Sequence, residues 1–276
     1  MTVKEIISST RKYNLHSHTQ YCDGHAPMEE MALAAKKAGM NHLGFSPHSP
    51  IPFASPCNMQ REMTQPYLDE VNRLRTLWPS GPSLYAAMEI DFISPDFGPH
   101  VDWIQRLPLD YRIGSVHFVP NQDGIPIDCD GNAQRFMRNL HDGYRDDIRY
   151  VVEKFYEQTL IMMERGGFDI LGHFDKIAQN VIHADPEIES RHWYESLIDD
   201  VVTLAAANDV IVEINTKYIN DKKRFFPHRR WWKKLKDAKV TLAVNSDAHW
   251  PEKIAEGRTQ AFSFLEEDGI ILTDKK

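Results

Sequence analysis

The chain has 276 residues, 42% of them hydrophobic, and a formal net charge of -8 at pH 7. That is enough apolar material for a sizeable core and excludes disorder as the default, while the acidic balance argues against a nucleic-acid partner, whose binder shows a basic face. No stretch nears ~18 consecutive apolar residues and the opening MTVKEIISSTRKY lacks a continuous apolar run, so neither a membrane span nor a signal peptide is expected. Cys22, Cys57 and Cys129 show no CxxC spacing. That argues against a disulfide framework or a thiolate zinc cluster and for reduced thiols in a cytoplasmic protein.

Residues 12–16 read as a first strand. In a strand, residues i and i+2 share a face, so His16 and His18 can aim at one point, and Asp23 follows after a turn marked by Gly24. Two imidazoles and a carboxylate begin a divalent metal site of the Zn, Fe or Mn type; two merely solvated histidines read equally well from this stretch alone. Pro27 suits a helix's first turn, Met28, Met31, Ala35 and Ala38 share a face, and Gly39 is a C-terminal stop. A second strand over 41–45 stops at Ser46-Pro47-His48-Ser49-Pro50, which leaves His48 at its end. Residues 51–64 read as loop, and 65–78 as a helix with Leu68, Val71, Leu74 or Arg75, and Trp78 at helical spacing.

A third strand over 84–90 contains Glu89, a carboxylate interrupting an apolar run. A buried charge is costly unless it is paired or coordinates a metal. A fourth strand over 110–118 delivers His117, and residues 119–146, rich in turn signals, read as an irregular lid or binding loop. A helix carrying Ile148, Val151, Val152, Phe155 and Met162 ends at Gly166-Gly167. A fifth strand over 168–173 ends on His173, a helix carries Trp193, Leu197, Val201, Leu204 and Ala205, and a sixth strand over 210–215 ends on Asn215. The basic stretch Arg229 to Lys239, with Trp231 and Trp232, reads as an amphipathic helix with a solvated face in preference to a nucleic-acid patch. A seventh strand over 240–244 runs into Asn245-Ser246-Asp247-Ala248-His249.

Strand and helix alternate with no boundary, which predicts a parallel sheet with crossover helices and a single domain over 1–276. In barrels of this class functional side chains sit at the C-terminal ends of strands. The candidate donors fall at or near most of the predicted ends, which scattered surface histidines would have no reason to do. There is no strand-end cysteine loop and no GxxxxGK[ST] phosphate cradle. Lys176, Lys217 and Arg258 could touch phosphate or be ordinary solvated cations, and Asn215 could orient a ligand or cap a turn. His25, His42, His100, His141, His183, His192 and His228 read as structural or surface residues.

The ordered set HSHTQYCDG, SPHSP, AMEID, GSVHF, LGHFD and NSDAH resembles the polymerase and histidinol phosphatase (PHP) family, from about residue 13 to about residue 257. His48-Ser49-Pro50, the chain length and the Glu213-Ile214-Asn215 segment look most like its histidinol-phosphate phosphatase branch. The resemblance implies an α/β fold, a distorted (β/α)7 TIM-like barrel, with a site for three divalent ions (Zn, Fe or Mn) at the strands' C-terminal ends. Carried over residue by residue, His16, His18, Glu89 and Asp247 hold one metal. Glu89 bridges to a second, held also by His117 and His173. Asp23, His48 and His249 hold the third. Many relatives have a histidine near Asp23, and His25 lies two residues on; Asp23 is taken because Asp-Gly also occurs there in the family. Asp247, Glu89 and His249 are the implied catalytic residues, and Lys176, Lys217, Asn215 and Arg258 the substrate-binding candidates.

The implied activity is metal-dependent hydrolysis of a small phosphate ester, L-histidinol phosphate, to L-histidinol and phosphate, in histidine biosynthesis. Metals about 3.5–4 Å apart clamp a phosphoryl group and acidify a water, so no Ser, Cys or Asp nucleophile is required. Asp247 or a metal-bound water would protonate the leaving group. The rival readings are a PHP-type phosphodiesterase or exonuclease acting on nucleotides, and a non-catalytic metal-binding scaffold.

Overall fold

The computed structural model describes residues 1–272. In chain order its strands are β1 (Tyr13–Asn14), β2 (His42–Phe45), β3 (Ser83–Asp91), β4 (Tyr111–Ser115), β5 (Phe118–Pro120), β6 (Pro126–Asp128), β7 (Ile170–Leu171), β8 (Ile211–Asn215) and β9 (Leu242–Asn245). Seven of them form one sheet in the order β1-β2-β3-β4-β7-β8-β9, every pairing parallel. Helices Met28–Lys37, Thr64–Leu77, Ile148–Arg165, His192–Ala207 and Trp232–Asp237 lie between successive strands of this sheet. The sheet curls into a nearly closed barrel of the distorted TIM type.

Between β1 and β9 side chains take over from a backbone ladder. Asn245 Oδ1 accepts from Leu15 N at 2.8 Å, Asn14 Oδ1 from Ser246 N at 2.9 Å, and the Tyr13 hydroxyl from Val244 N at 3.0 Å. Beyond the strands, His18 N donates to Ala248 O at 2.8 Å. The seam therefore closes at the end where β1 and β9 hand over to their histidines.

β3 shows how sequence becomes architecture. Leu84, Ala86, Met88 and Ile90 alternate onto the face packed with Met31, Leu68 and Val71 of the flanking helices. Tyr85 and Ala87 join the other core cluster, and Glu89 and Asp91 share their side of the strand by the two-residue period. That face turns from apolar to acidic as the strand ends, although both carboxylates are only 1% exposed.

Several expectations shift. β1 spans two residues, β4 stops before His117 and β7 spans two, so His16, His117 and His173 all lie past strand ends. Residues 119–146 are not an irregular loop. They hold the antiparallel hairpin of β5 and β6 and a helix, Ala133–Tyr144, which buries Phe136, Leu140 and Tyr144 at four-residue intervals. The turn signals around it masked that stripe. Ala38 lies just past the helix end, exposed, and Ala32 takes the place expected for it. Trp231 and Trp232 are buried in the core, as the barrel-helix reading of that basic stretch requires.

Gly44 permits one close approach. A Cβ there would meet the Tyr111 hydroxyl oxygen at 1.6 Å, and that hydroxyl donates to Leu15 O, bracing the chain between β1 and His16. Gly44→Ala is expected to destabilise the fold by about 1–3 kcal/mol, read from urea unfolding. Tyr111→Phe added to it should recover part of the loss; unchanged stability in Gly44→Ala would contradict this packing.

Candidate metal centre

Strand ends and the turns after them bring the histidines and carboxylates together. His16 Nε2 and His18 Nε2 lie 3.2 Å apart and stand 3.2 and 3.3 Å from Glu89 Oε2. Asp247 Oδ1 completes this group at 3.7 Å from His16 and 3.1 Å from His18. The other Glu89 oxygen, Oε1, faces His173 Nε2 at 2.8 Å and His117 Nε2 at 3.5 Å. Asp23 Oδ1 lies 3.3 Å from His249 Nε2, 3.8 Å from His48 Nε2 and 3.6 Å from His18 Nδ1. His48 Nδ1 approaches Glu89 Oε2 at 3.1 Å, which joins this group to the first. Glu89 thus offers one oxygen to each of two histidine sets.

The donor set suits divalent ions. With metal–nitrogen bonds of about 2.0–2.1 Å, neighbouring donors around a tetrahedral ion stand about 3.3 Å apart, close to the spacings seen. Asp23 Oδ1, His48 Nδ1, Glu89 Oε2 and His117 Nε2 are buried with no hydrogen-bond partner. Unsatisfied buried polar atoms are costly, and here they converge on shared points, as ligand atoms do. Overlapping donor groups, each with its atoms within 4.8 Å of one another, draw on all the carried-over residues.

A layer behind these donors fixes their orientation. Glu213 is fully buried; its Oε1 takes His16 Nδ1 at 2.7 Å and Asn245 Nδ2 at 3.0 Å, its Oε2 the amide of His173 at 3.2 Å and Asn215 Nδ2 at 3.0 Å. Asp91 Oδ1 takes His117 Nδ1 at 2.6 Å while Asn58 Nδ2 donates to its Oδ2 at 2.9 Å. A carboxylate behind an imidazole sets the tautomer that leaves Nε2 free for a cation. Without a cation in place, the same carboxylates draw positive charge onto the imidazoles themselves. Burial pushes the His16 imidazole down, but Glu213, Glu89 and Asp247 outweigh it and hold it up at about 10. Burial likewise opposes, and Asp91 with Glu89 outweighs, to hold His117 at about 9. His48 and His249, where burial prevails, fall to about 4 and about 3. Burial would raise the Glu89 pKa, yet His16, His48 and His117 hold it well below the usual carboxylate range.

The structure draws Asp23 into the cluster and turns His25 out, stacked on Trp250 with ring centroids 4.0 Å apart. Gly24 makes that turn possible, since a Cβ would sit 2.2 Å from Thr19 N. Asp247 has φ +50, in the left-handed region that Asp enters more readily than most residues. Asn215 does both things open to it: Nδ2 donates to Asp247 Oδ2 at 3.1 Å, and Oδ1 accepts from Lys217 N at 3.0 Å. Lys217 Nζ lies 3.4 Å from Asp247 Oδ1 and 3.2 Å from His249 Nε2. Lys176 is buried and not a solvated cation, its Nζ 2.8 Å from Asp130 and 4.0 Å from Asp247.

Arg258 corrects the sequence reading. Its guanidinium lies over the rings of Tyr13 and Phe262 and donates to Val244 O and Arg11 O, so it braces the core and is not in the cluster. Glu213, Asp91, Asn58 and Asp130 were not singled out as site residues. Glu213 and Asp91 each carried the same signal as Glu89, an acid within an apolar strand. The cluster opens into a cleft of about 200 Å3 lined by Asp23, His48, His117 and His249 together with Lys217, Asp128, Asp130 and Arg135. A larger hollow, about 630 Å3 between residues 50–62 and Trp103, holds none of the donors. No helix among the described residues is long and apolar enough to cross a membrane.

A sequence profile described as PHP domain matches residues 14–217. A protein of Deinococcus radiodurans named "Probable histidinol-phosphatase" is 25% identical over 251 residues, covering 87% of this chain and 86% of its own. A Clostridium acetobutylicum protein of the same name is 24% identical over 166 residues, 58% of each chain. Among solved structures, the histidinol phosphate phosphatase of Lactococcus lactis, complexed with zinc, L-histidinol and phosphate, superposes with a TM-score of 0.70 at 16% identity, over 95% of both chains. A candidate histidinol phosphatase of Listeria monocytogenes superposes at 0.78 with 18% identity, covering 90% of this chain and 99% of its own.

Two outcomes follow from the cluster. Zn or Mn at a hundredfold excess over its Kd should raise unfolding free energy by about 2.7 kcal/mol. The gain should shrink as pH falls, because protons compete for the imidazoles; thermal melts with and without chelator read it. Glu213→Gln should weaken metal affinity by roughly 10–100-fold, measured by competition with a chromophoric chelator; wild-type affinity in that variant would refute its orienting role.

Proposed function

The chain belongs to the PHP domain family, and from that premise we propose that it is a metal-dependent phosphomonoesterase that hydrolyses L-histidinol phosphate to L-histidinol and phosphate. The observation that carries the metal chemistry is Glu89, whose two buried oxygens face two separate sets of imidazoles. The substrate follows from the likeness to relatives named histidinol phosphatases, which in the first case spans most of both chains.

In this reading the site would take three divalent ions (Zn, Fe or Mn). His16, His18, Glu89 and Asp247 would hold the first, Glu89, His117 and His173 the second, and Asp23, His48 and His249 the third. When bound, the metals supply a water acidic enough to attack phosphorus at neutral pH and positive charge against the phosphoryl oxygens. The protein's own groups do the rest. Lys217 and Lys176 direct ammonium groups at the phosphoryl oxygens, and Asn215 and Glu213 hold Asp247 and His16 in place. Asp247 stays ionised: burial would raise its pKa, but Lys217, His16 and His18 outweigh that. It therefore serves as a ligand and orienting group, and the leaving alkoxide takes its proton from water. Glu89 spans the two ligand sets, and His249 Nε2 faces Asp23 Oδ1 at 3.3 Å.

The cleft of about 200 Å3 suits a small monoester better than a polynucleotide. We read residues 1–276 as one PHP-type barrel domain at work in the cytoplasm, where its free cysteines Cys22, Cys57 and Cys129 would stay reduced.

The direct test is phosphate release from L-histidinol phosphate by protein loaded with Mn, Fe or Zn. Turnover is expected with at least one metal, and Glu89→Ala should lower kcat by roughly a thousandfold with the fold retained. Turnover of another ester in its place would remove the substrate. Cleavage of single-stranded DNA would favour the nucleotide-acting rival, and a folded, metal-loaded protein inert toward every ester would favour the scaffold.

A further inference from the structure

The segment between β4 and the helix Ile148–Arg165 delivers to the cleft two carboxylates that belong to no ligand group, Asp128 and Asp130. Asp130 lines the cleft, and its Oδ2 lies 2.8 Å from Lys176 Nζ. Lys176 is 5% exposed at its side chain, and its only other carboxylate neighbour among the described ion pairs is Asp247 Oδ2 at 4.0 Å. The ammonium is thus shared unequally between a cleft-wall acid and a ligand-group acid.

The turn that presents Asp130 is held on every side. Asp128 Oδ1 accepts from the amides of Asp130 at 2.8 Å and Gly131 at 3.3 Å. Asn180 Nδ2 donates to Cys129 O at 3.0 Å and Gly131 O at 2.7 Å, and Cys129 N donates to His117 O at 2.9 Å. Gln179 Nε2 donates to the second Asp130 oxygen at 2.8 Å, and Gln179 Oε1 accepts from Lys222 Nζ at 2.8 Å. A turn needing only to connect two elements would not fix both oxygens of a partly buried carboxylate.

We propose that Asp130, on the cleft wall, is a positioning residue that holds the Lys176 ammonium beside the ligand group for a phosphoryl oxygen and keeps it from collapsing onto Asp247. The inference rests on the phosphatase reading above. An ammonium carries three donors. With Asp130 taking one, Lys176 is anchored without spending itself on Asp247, whose oxygens are needed for cations. Without Asp130 the nearest remaining carboxylate is Asp247. Removing one partner of a buried pair leaves the other uncompensated, so the ammonium moves to Asp247 and leaves the substrate side.

The test is a double-mutant cycle on the metal-loaded protein between Asp130→Asn and Lys176→Met, reading the Kd of inorganic phosphate by titration calorimetry and KM against kcat for L-histidinol phosphate. Asp130→Asn should raise Kd and KM about tenfold, with kcat changed by less than about threefold, and Asp130→Glu should recover most of the loss. In the Lys176→Met background the same substitution should change neither. Should Asp130→Asn fail to fold, Gln179→Leu, which frees the other carboxylate oxygen, takes its place in the cycle. Additive losses, or a fall in kcat at unchanged KM, overturn the assignment. A wild type that binds phosphate yet turns over no ester strikes the phosphatase reading instead, and the phosphate cycle still decides on Asp130.

Discussion

A carboxylate sealed from water has to be met by positive charge, and Glu89 sets that demand at the centre of this molecule. Moving an isolated carboxylate into a low-dielectric interior costs tens of kcal/mol in the idealised limit, and Glu89 is 1% exposed. Among the described residues no lysine or arginine pairs with it; its ion-pair neighbours are His16, His18, His48, His117 and His173. Imidazoles satisfy it only by carrying protons or by sharing cations with it, and the carboxylates behind them, Glu213 and Asp91, favour the tautomer that shares. Burial, the histidine ring and the second layer of acids are one arrangement.

The barrel provides that arrangement cheaply because its seam and its site use the same residues. Asn14 and Asn245 replace ladder hydrogen bonds between β1 and β9, and Asn245 also holds Glu213, which orients His16. Short strands serve the same end. β1 and β7 each have two residues, so the chain leaves the sheet early and His16 and His173 reach the axis from turns. The segment with β5, β6 and the helix Ala133–Tyr144 then walls the cleft, binding itself to His117 through Cys129 and to the chain after His173 through Gln179 and Asn180.

Much of this was legible beforehand, for particular reasons. The alternation of β3 announced a two-faced strand with an acid at its end, and proline and glycine marked where β2 and the first crossover helix stop. The histidines stand out because they recur at or near the ends of predicted strands. What was missed has equally particular causes. The helix Ala133–Tyr144 hid behind Asp128-Cys129-Asp130-Gly131 and Gly143, although Phe136, Leu140 and Tyr144 carried its period. From its neighbours in sequence Lys176 reads more readily as solvated than as functional, because the carboxylate that keeps it buried lies forty-six residues earlier. Arg258 looked like a phosphate contact and instead packs on Tyr13 and Phe262.

The amino-acid sequence by itself determined the parallel α/β architecture, the identity of the candidate donors and their place at or near strand ends, because a two-residue period and helix-ending residues act over short range. Only the tertiary structure decided which atoms meet. It divided Glu89 between two histidine sets, took Asp23 and set His25 against Trp250, put Glu213 behind His16, and buried Lys176 against Asp130. Past the end of a strand no periodicity tells a side chain where to point. Its direction is fixed by partners brought near only when the barrel closes.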